Sequence, residues 1–192
     1  MSPLCQSDIA RISIVSNSKT ILLSIKHDDE FCDTAEVWMK ADVDQREQNF
    51  ILDTGCAVTK LSYNEFSAKY EAIEGGEYSS AFGKSKHEKI RVQSISAGPI
   101  SRGPIEISRT PKGGNDKNLF GMDLLRDRTI ELALPQSTLN FIDQPTHQLC
   151  SNKLWLDSGS IPFIEVTSRA TTAKAVWDTG AGITIVDKAF FN

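Results

Sequence analysis

Short apolar runs of period two, broken by glycine, proline, serine and asparagine, dominate this chain. Each of "RISIV" (11–15), "TILLSI" (20–25), "AEVWMKADV" (35–43), "FILD" (50–53), "KIRVQSI" (89–95), "PIEIS" (104–108), "TIELAL" (129–134), "TLNFI" (138–142), "PFIEVT" (162–167) and "AVWD" (175–178) predicts a strand. Two segments carry helical signals: "YNEFSAKY" (63–70), which Ser62 can cap with Glu65 in the first turn, and "GMDLLRD" (121–127). The glycine-rich "AIEGGEYSS" (72–80) and "RTPKGGNDKN" (109–118) read as surface loops, and "PTHQLCSNKL" (145–154) as a connector. The pattern predicts a mostly β fold with short helices.

Two of these runs end in the same way. "FILDTGCAVTKLS" (50–62) and "AVWDTGAGITIVD" (175–187) each place an acid behind an apolar pair, and Asp178 follows Asp53 by 125 residues. At that offset Asp53, Thr54, Gly55, Thr59 and Phe66 meet identical residues at Asp178, Thr179, Gly180, Thr184 and Phe191. Ile51 meets Val176, Val58 meets Ile183 and Leu61 meets Val186, so the apolar positions repeat with the motif. Two copies of such a tripeptide by chance have odds on the order of one in a thousand, and the shared flanks lower them further. The chain therefore carries a duplicated supersecondary unit.

Composition narrows the function classes. The 192 residues, 40% hydrophobic, can bury a core, and a formal charge of −4 with scattered Lys and Arg argues against nucleic-acid binding. No apolar run is long enough for a membrane-spanning helix, and the first 30 residues lack the plan of a signal peptide, so a cytoplasmic protein is expected. Cys5, Cys32, Cys56 and Cys150 stand too far apart for a disulfide framework or a zinc site, and His27, His87 and His147 read as surface groups. Neither metal nor cofactor is expected.

An acid at the end of an apolar strand, followed by Thr and Gly, is a carboxylate on a tight loop. Glycine permits the turn and a close approach, and a buried threonine hydroxyl must find a partner. If two such loops meet about a two-fold axis, each Thr can bond across to the other loop and the two acids lie side by side. Neighbouring carboxylates share one proton over a broad pH range. The ionised member can then take a proton from water while the other donates one to a carbonyl oxygen, which suffices to hydrolyse a peptide bond.

On these residues the chain resembles the retropepsin-like aspartic proteases, the family of retroviral proteases and, as a fused two-lobe relative, pepsin. Ile51-Leu52-Asp53-Thr54-Gly55-Cys56 and Val176-Trp177-Asp178-Thr179-Gly180-Ala181 follow its signature, and "NLFGMDLL" (118–125) resembles its hydrophobic-hydrophobic-Gly segment, which packs against the Asp loop. The resemblance implies Asp53 and Asp178 as catalytic residues, Thr54, Gly55, Thr179 and Gly180 as loop supports, and a flap hairpin with Phe82, Gly83 and Lys84 near its tip against the substrate. It implies an acid-protease β-barrel lobe over 34–143, a connector over 144–159 and the start of a second, similar lobe over 160–192, with residues 1–33 as an added hairpin. Copying the first lobe in full would take roughly 76 further residues, so a fragment of a longer two-lobe enzyme is expected. A peptide or protein is the implied substrate, and the first lobe could pair with another copy through two Asp53 residues.

Cys56 and Ala181 stand where a hydroxyl steadies the outer carboxylate oxygen in pepsin-like enzymes. Fewer hydrogen bonds to the charged form should raise the dyad's titration and move the optimum to mildly acidic or near-neutral pH. Cys56 itself reads as a small buried hydrophobe, with thiol oxidation as the other reading. Two rival functions remain: a non-catalytic module of this fold that dimerises or binds peptides, and an actin-fold phosphotransferase using "DTGAGIT" as a phosphate loop. The second requires several long helices, for which this chain shows no pattern.

Overall fold

The computed structural model describes residues 19–27, 34–80, 83–114, 117–143, 153–168, 171–186 and 190, and it is mostly β. The first hairpin joins β2 (Ala35–Val43) to β3 (Arg46–Leu52). Alternation drives it: Val37, Met39, Ala41 and Val43 all point into the core. Asp44 and Gln45 make the turn at φ 48° and 64°, the left-handed pair that suits the twist of a two-residue hairpin. The Asp44 carboxylate is tied down as well, accepting the Ser94 N–H and the Tyr70 hydroxyl, each at 2.7 Å.

β1 (Thr20–His27) pairs first with β12 (Thr138–Phe141) and then with β2, which makes it a corner strand. Ile21 and Leu23 on it belong to the same core. The boundary expected at residue 34 therefore does not separate this segment from the lobe, while the "RISIV" strand proposed beside it lies outside the described residues. The main sheet continues through β4 (Lys60–Leu61), β5 (Ala72–Ser80), β6 (Gly83–Val92), β7 (Ile95–Ala97), β8 (Ile100–Arg102), β9 (Ile105–Arg109), β10 (Leu119–Phe120) and β11 (Ile130–Ala133). Its order is β11-β12-β1-β2-β3-β10-β4-β9-β6-β5, with β7 and β8 branching from β2. Phe50, Leu52, Leu61, Ile90, Ile107, Phe120 and Leu124 fill the core, and the Phe50 and Phe120 rings meet edge to face at 5.9 Å.

"AIEGGEYSS", expected as a loop, is strand β5. It lies at the edge of the sheet, where exposed backbone and glycine are tolerated, and its register with β6 supplies the order that its composition does not. β6 pairs with β9 only over Glu88–Val92, so the β5–β6 hairpin projects past the sheet over Gly83–His87 and the β5 residues opposite them. At that last rung the buried Arg109 holds Glu88 through Nε and Nη2 and caps the carbonyls of Ser67 and Tyr70 through Nη1. His87, expected at the surface, is 8% exposed on β6.

The helix expected over 63–70 is only a 3₁₀ turn, Ser67–Lys69. Ser62 does not cap it, because its N–H and hydroxyl both donate to Asn118 Oδ1. The turn's N-cap is Phe66, and ahead of it Asn64 accepts the Ser67 N–H at 2.9 Å while Ser67 Oγ accepts the Asn64 N–H at 3.0 Å. "GMDLLRD" forms the single-turn helix α1 (Met122–Leu125). No described helix is long and apolar enough to cross a membrane.

Residues 153–186 contain a second sheet of β13 (Leu154–Leu156), β14 (Pro162–Ser168) and β15 (Thr171–Val176), so a strand lies within the expected connector. β14 and β15 pair as β2 and β3 do, with Phe163 opposite Val176 as Trp38 is opposite Ile51.

Candidate active site

Two strands end in acids, and β10 determines where the first one goes. β10 inserts between β3 and β4, parallel to β3, with Phe120 opposite Leu52. The chain leaving Leu52 then donates the Asp53 N–H to Phe120 O at 3.1 Å and turns at once, Cys56 N–H reaching back to Asp53 O at 3.3 Å. The second acid leaves β15 similarly, with Trp177 N–H on Pro162 O at 2.9 Å.

The two loops meet through their threonines. Thr54 Oγ1 donates to Trp177 O at 2.5 Å and accepts the Thr179 N–H at 3.0 Å. Thr179 Oγ1 donates to Leu52 O at 2.7 Å and accepts the Thr54 N–H at 3.1 Å. Each hydroxyl thus satisfies two groups of the other loop, and burying it carries no unmet donor or acceptor.

The glycines make this meeting sterically feasible. A Cβ on Gly55 would lie 2.4 Å from Asp178 Cγ, and one on Gly180 would lie 2.4 Å from Asp53 Cγ. Neither glycine has positive φ, so what the position demands is space and not backbone freedom.

The acids differ in their surroundings. Asp178 Oδ1 accepts the N–H groups of Gly180 at 2.8 Å and Ala181 at 3.2 Å. Asp53 Oδ1, by contrast, is buried without a hydrogen-bond partner among the described residues. Burial, then the charge of Asp178 and a hydrogen bond with its carboxyl, push Asp53 up from 3.8 to about 7; the Gly55 N–H and the Lys60 charge oppose this. Cys56, beside them, donates its thiol to Val58 O at 3.0 Å, and burial and the Asp53 charge push it up to about 12.

Asp53, Thr54, Gly55, Asp178, Thr179 and Gly180 are therefore brought together. Of the residues expected at the flap tip, Phe82 lies outside the described residues, and Gly83 and Lys84 open β6 at the end of the projecting hairpin. Lys60, Thr59 and Asp123 were not expected here, although the Gly-Met-Asp of "NLFGMDLL" held the last of them. No group of three or more metal-ligating side chains occurs among the described residues.

Residues 39–124 match the family described as aspartyl protease. No curated protein sequence matches the chain significantly. Among solved structures, a retropepsin-like aspartic protease from Rickettsia conorii is similar at 20% identity and a TM-score of 0.45, over 64% of this chain and 87% of that one. The matched residues carry the first Asp-Thr-Gly loop and the Asn118–Asp123 segment behind it.

Proposed function

We propose that the chain forms the dyad of an aspartic endopeptidase, with Asp53 and Asp178 sharing one proton. The observation that carries this reading is the reciprocal packing of the two Asp-Thr-Gly loops, which puts each carboxyl where the other loop has only a glycine. The raised Asp53 titration favours Asp53 as the protonated member, and Asp178, whose Oδ1 accepts two backbone N–H groups, as the base. Asp178 takes a proton from a water whose oxygen attacks the peptide carbonyl, while Asp53 gives its proton to the carbonyl oxygen. The resulting gem-diol collapses as a proton passes to the departing nitrogen, which yields a carboxylic acid and an amine and returns one proton to the dyad. The β5–β6 hairpin, with Gly83 and Lys84 at its end, serves as the flap over the peptide.

In this reading β13–β15 and the Asp178 loop open a second lobe that further polypeptide completes. Val176 and Val186 are 44% and 41% exposed, whereas Ile51 and Leu61, their counterparts at the repeat offset, are 4% and 0% exposed. Pairing of two first lobes through Asp53 is disfavoured, because Thr54 already spends its N–H and hydroxyl on the Asp178 loop. The phosphotransferase reading lacks its framework: the longest helix among the described residues is α1, with 4 residues.

The test compares wild type, Asp53→Asn and Asp178→Asn on a mixed peptide library, with and without a statine-type transition-state analogue, in protein expressed with its natural downstream sequence. Loss of cleavage in both variants and inhibition of wild type are expected. Cleavage indifferent to both substitutions would sink the reading.

A further inference from the structure

We propose that Asp123 is a positioning residue for the Asp53 loop, acting through Thr59; the inference deepens the protease reading and rests on it. Asp123 Oδ1 accepts both the N–H of Thr59, at 2.9 Å, and its hydroxyl, at 2.7 Å. That hydroxyl in turn accepts the Gly121 N–H at 3.0 Å. From the same segment Met122 N–H reaches Cys56 O at 2.8 Å and Asp123 N–H reaches Ala57 O at 3.1 Å, while Phe120 O takes the Asp53 N–H. Phe120–Asp123 thus grips the loop at positions 53, 56, 57 and 59. The fit is close, since a Cβ on Gly121 would stand 2.8 Å from Cys56 O and 2.9 Å from Thr59 N.

Most of these bonds run between backbones, and many residues could make them. The Asp123 carboxylate and the Thr59 hydroxyl are the contributions that depend on side-chain choice. Thr59 is fully buried, and a single carboxylate oxygen taking two donors is the strong, charge-assisted arrangement. The arrangement also has a cost: Asp123 Oδ2 is buried without a hydrogen-bond partner among the described residues, and burial pushes its carboxyl up. Both of its side-chain bonds beyond its own segment go to Thr59, on the loop that carries Asp53. The second loop has Thr184 at the matching position, where it is exposed, so among the described residues the brace is seen on the Asp53 loop.

The test follows the Asp53 carboxyl by carbon-13 NMR titration in wild type, Asp123→Ala, Asp123→Asn, Thr59→Val and Thr59→Ser. Asp123→Ala and Thr59→Val are expected to move the Asp53 midpoint by about half a unit or more, because the loop no longer holds that carboxyl in its enclosed place, while Asp123→Asn and Thr59→Ser stay within that margin. In peptide cleavage the first two should lose about tenfold or more in kcat with KM within about twofold, the mark of misplacement and not of lost binding. A folded Asp123→Ala or Thr59→Val protein with the wild-type Asp53 midpoint would overturn the proposal. If Asp123→Ala does not fold, Thr59→Val decides, since it removes one hydroxyl only. Wild type that cleaves nothing while the midpoints move as expected would sink the protease reading and uphold the positioning role; normal cleavage with unmoved midpoints would do the reverse.

Discussion

Gly55 and Asp178 occupy one space: the Asp178 carboxyl sits where a Gly55 side chain would be, 2.4 Å from the position of its Cβ. The same holds for Gly180 and Asp53, so the two loops interlock by exchanging carboxyls for hydrogen atoms. Gly55→Ala or Gly180→Ala should force the loops apart, at an overpacking cost of about 1–3 kcal/mol. Cleavage should fall by about 10²-fold or more, because the carboxyls no longer share a site. Urea denaturation and kcat/KM check this, and an alanine variant with wild-type turnover would show that the loops do not interlock in solution.

The proton on Asp53 makes stability depend on pH. Its folded pKa, about 7, is raised above the ordinary 3.8, so the folded state binds that proton more tightly than the unfolded chain does. Its contribution is therefore complete below about pH 4 and is lost as pH rises to about 7, with an upper bound of about 4 kcal/mol at 1.36 kcal/mol per unit. Asp53→Asn should flatten this part of the stability curve, measurable by denaturant titrations between pH 4 and 8. Hydrolysis that needs the shared proton should likewise decline above about pH 7, giving a mildly acidic to near-neutral optimum. A rate profile peaking well below pH 3 would contradict the assignment.

The crossed threonines should behave as one unit. Thr54→Val leaves the Trp177 carbonyl and the Thr179 N–H unmet, and Thr179→Val does the same to Leu52 O and the Thr54 N–H. Each should cost about 1–3 kcal/mol, with Thr→Ser recovering most of it. The double variant should cost less than the two singles together, because both remove the same junction. Additive losses in a double-mutant cycle would mean that the two loops hold independently.

Cys56 should be unreactive in the folded protein. Its thiol, raised to about 12 and bonded to Val58 O, holds almost no thiolate at neutral pH. Labelling by a disulfide reagent at pH 7.5 should wait on unfolding, and Cys56→Ala should change cleavage by less than about twofold. Rapid labelling of Cys56 in native protein, located by peptide mapping, would favour the oxidation-sensitive reading.

The amino-acid sequence by itself determined the strands with clean alternation and both Asp-Thr-Gly loops, because period-two patterning and a tripeptide motif are local signals that duplication in register amplifies. It also indicated that the threonines need partners, since a buried hydroxyl always does. Tertiary structure alone decided who those partners are. The main-sheet order puts Phe120–Asp123 behind the Asp53 loop, far away in sequence, and Asn118 takes Ser62 from the helix it was expected to cap. β5 became a strand against its composition because edge pairing with β6 satisfies its backbone, and β1 joined the core because its two ends pair with different neighbours. The raised Asp53 titration likewise depends on two carboxyls 125 residues apart meeting in an enclosed place, which is a property of packing and not of the motif.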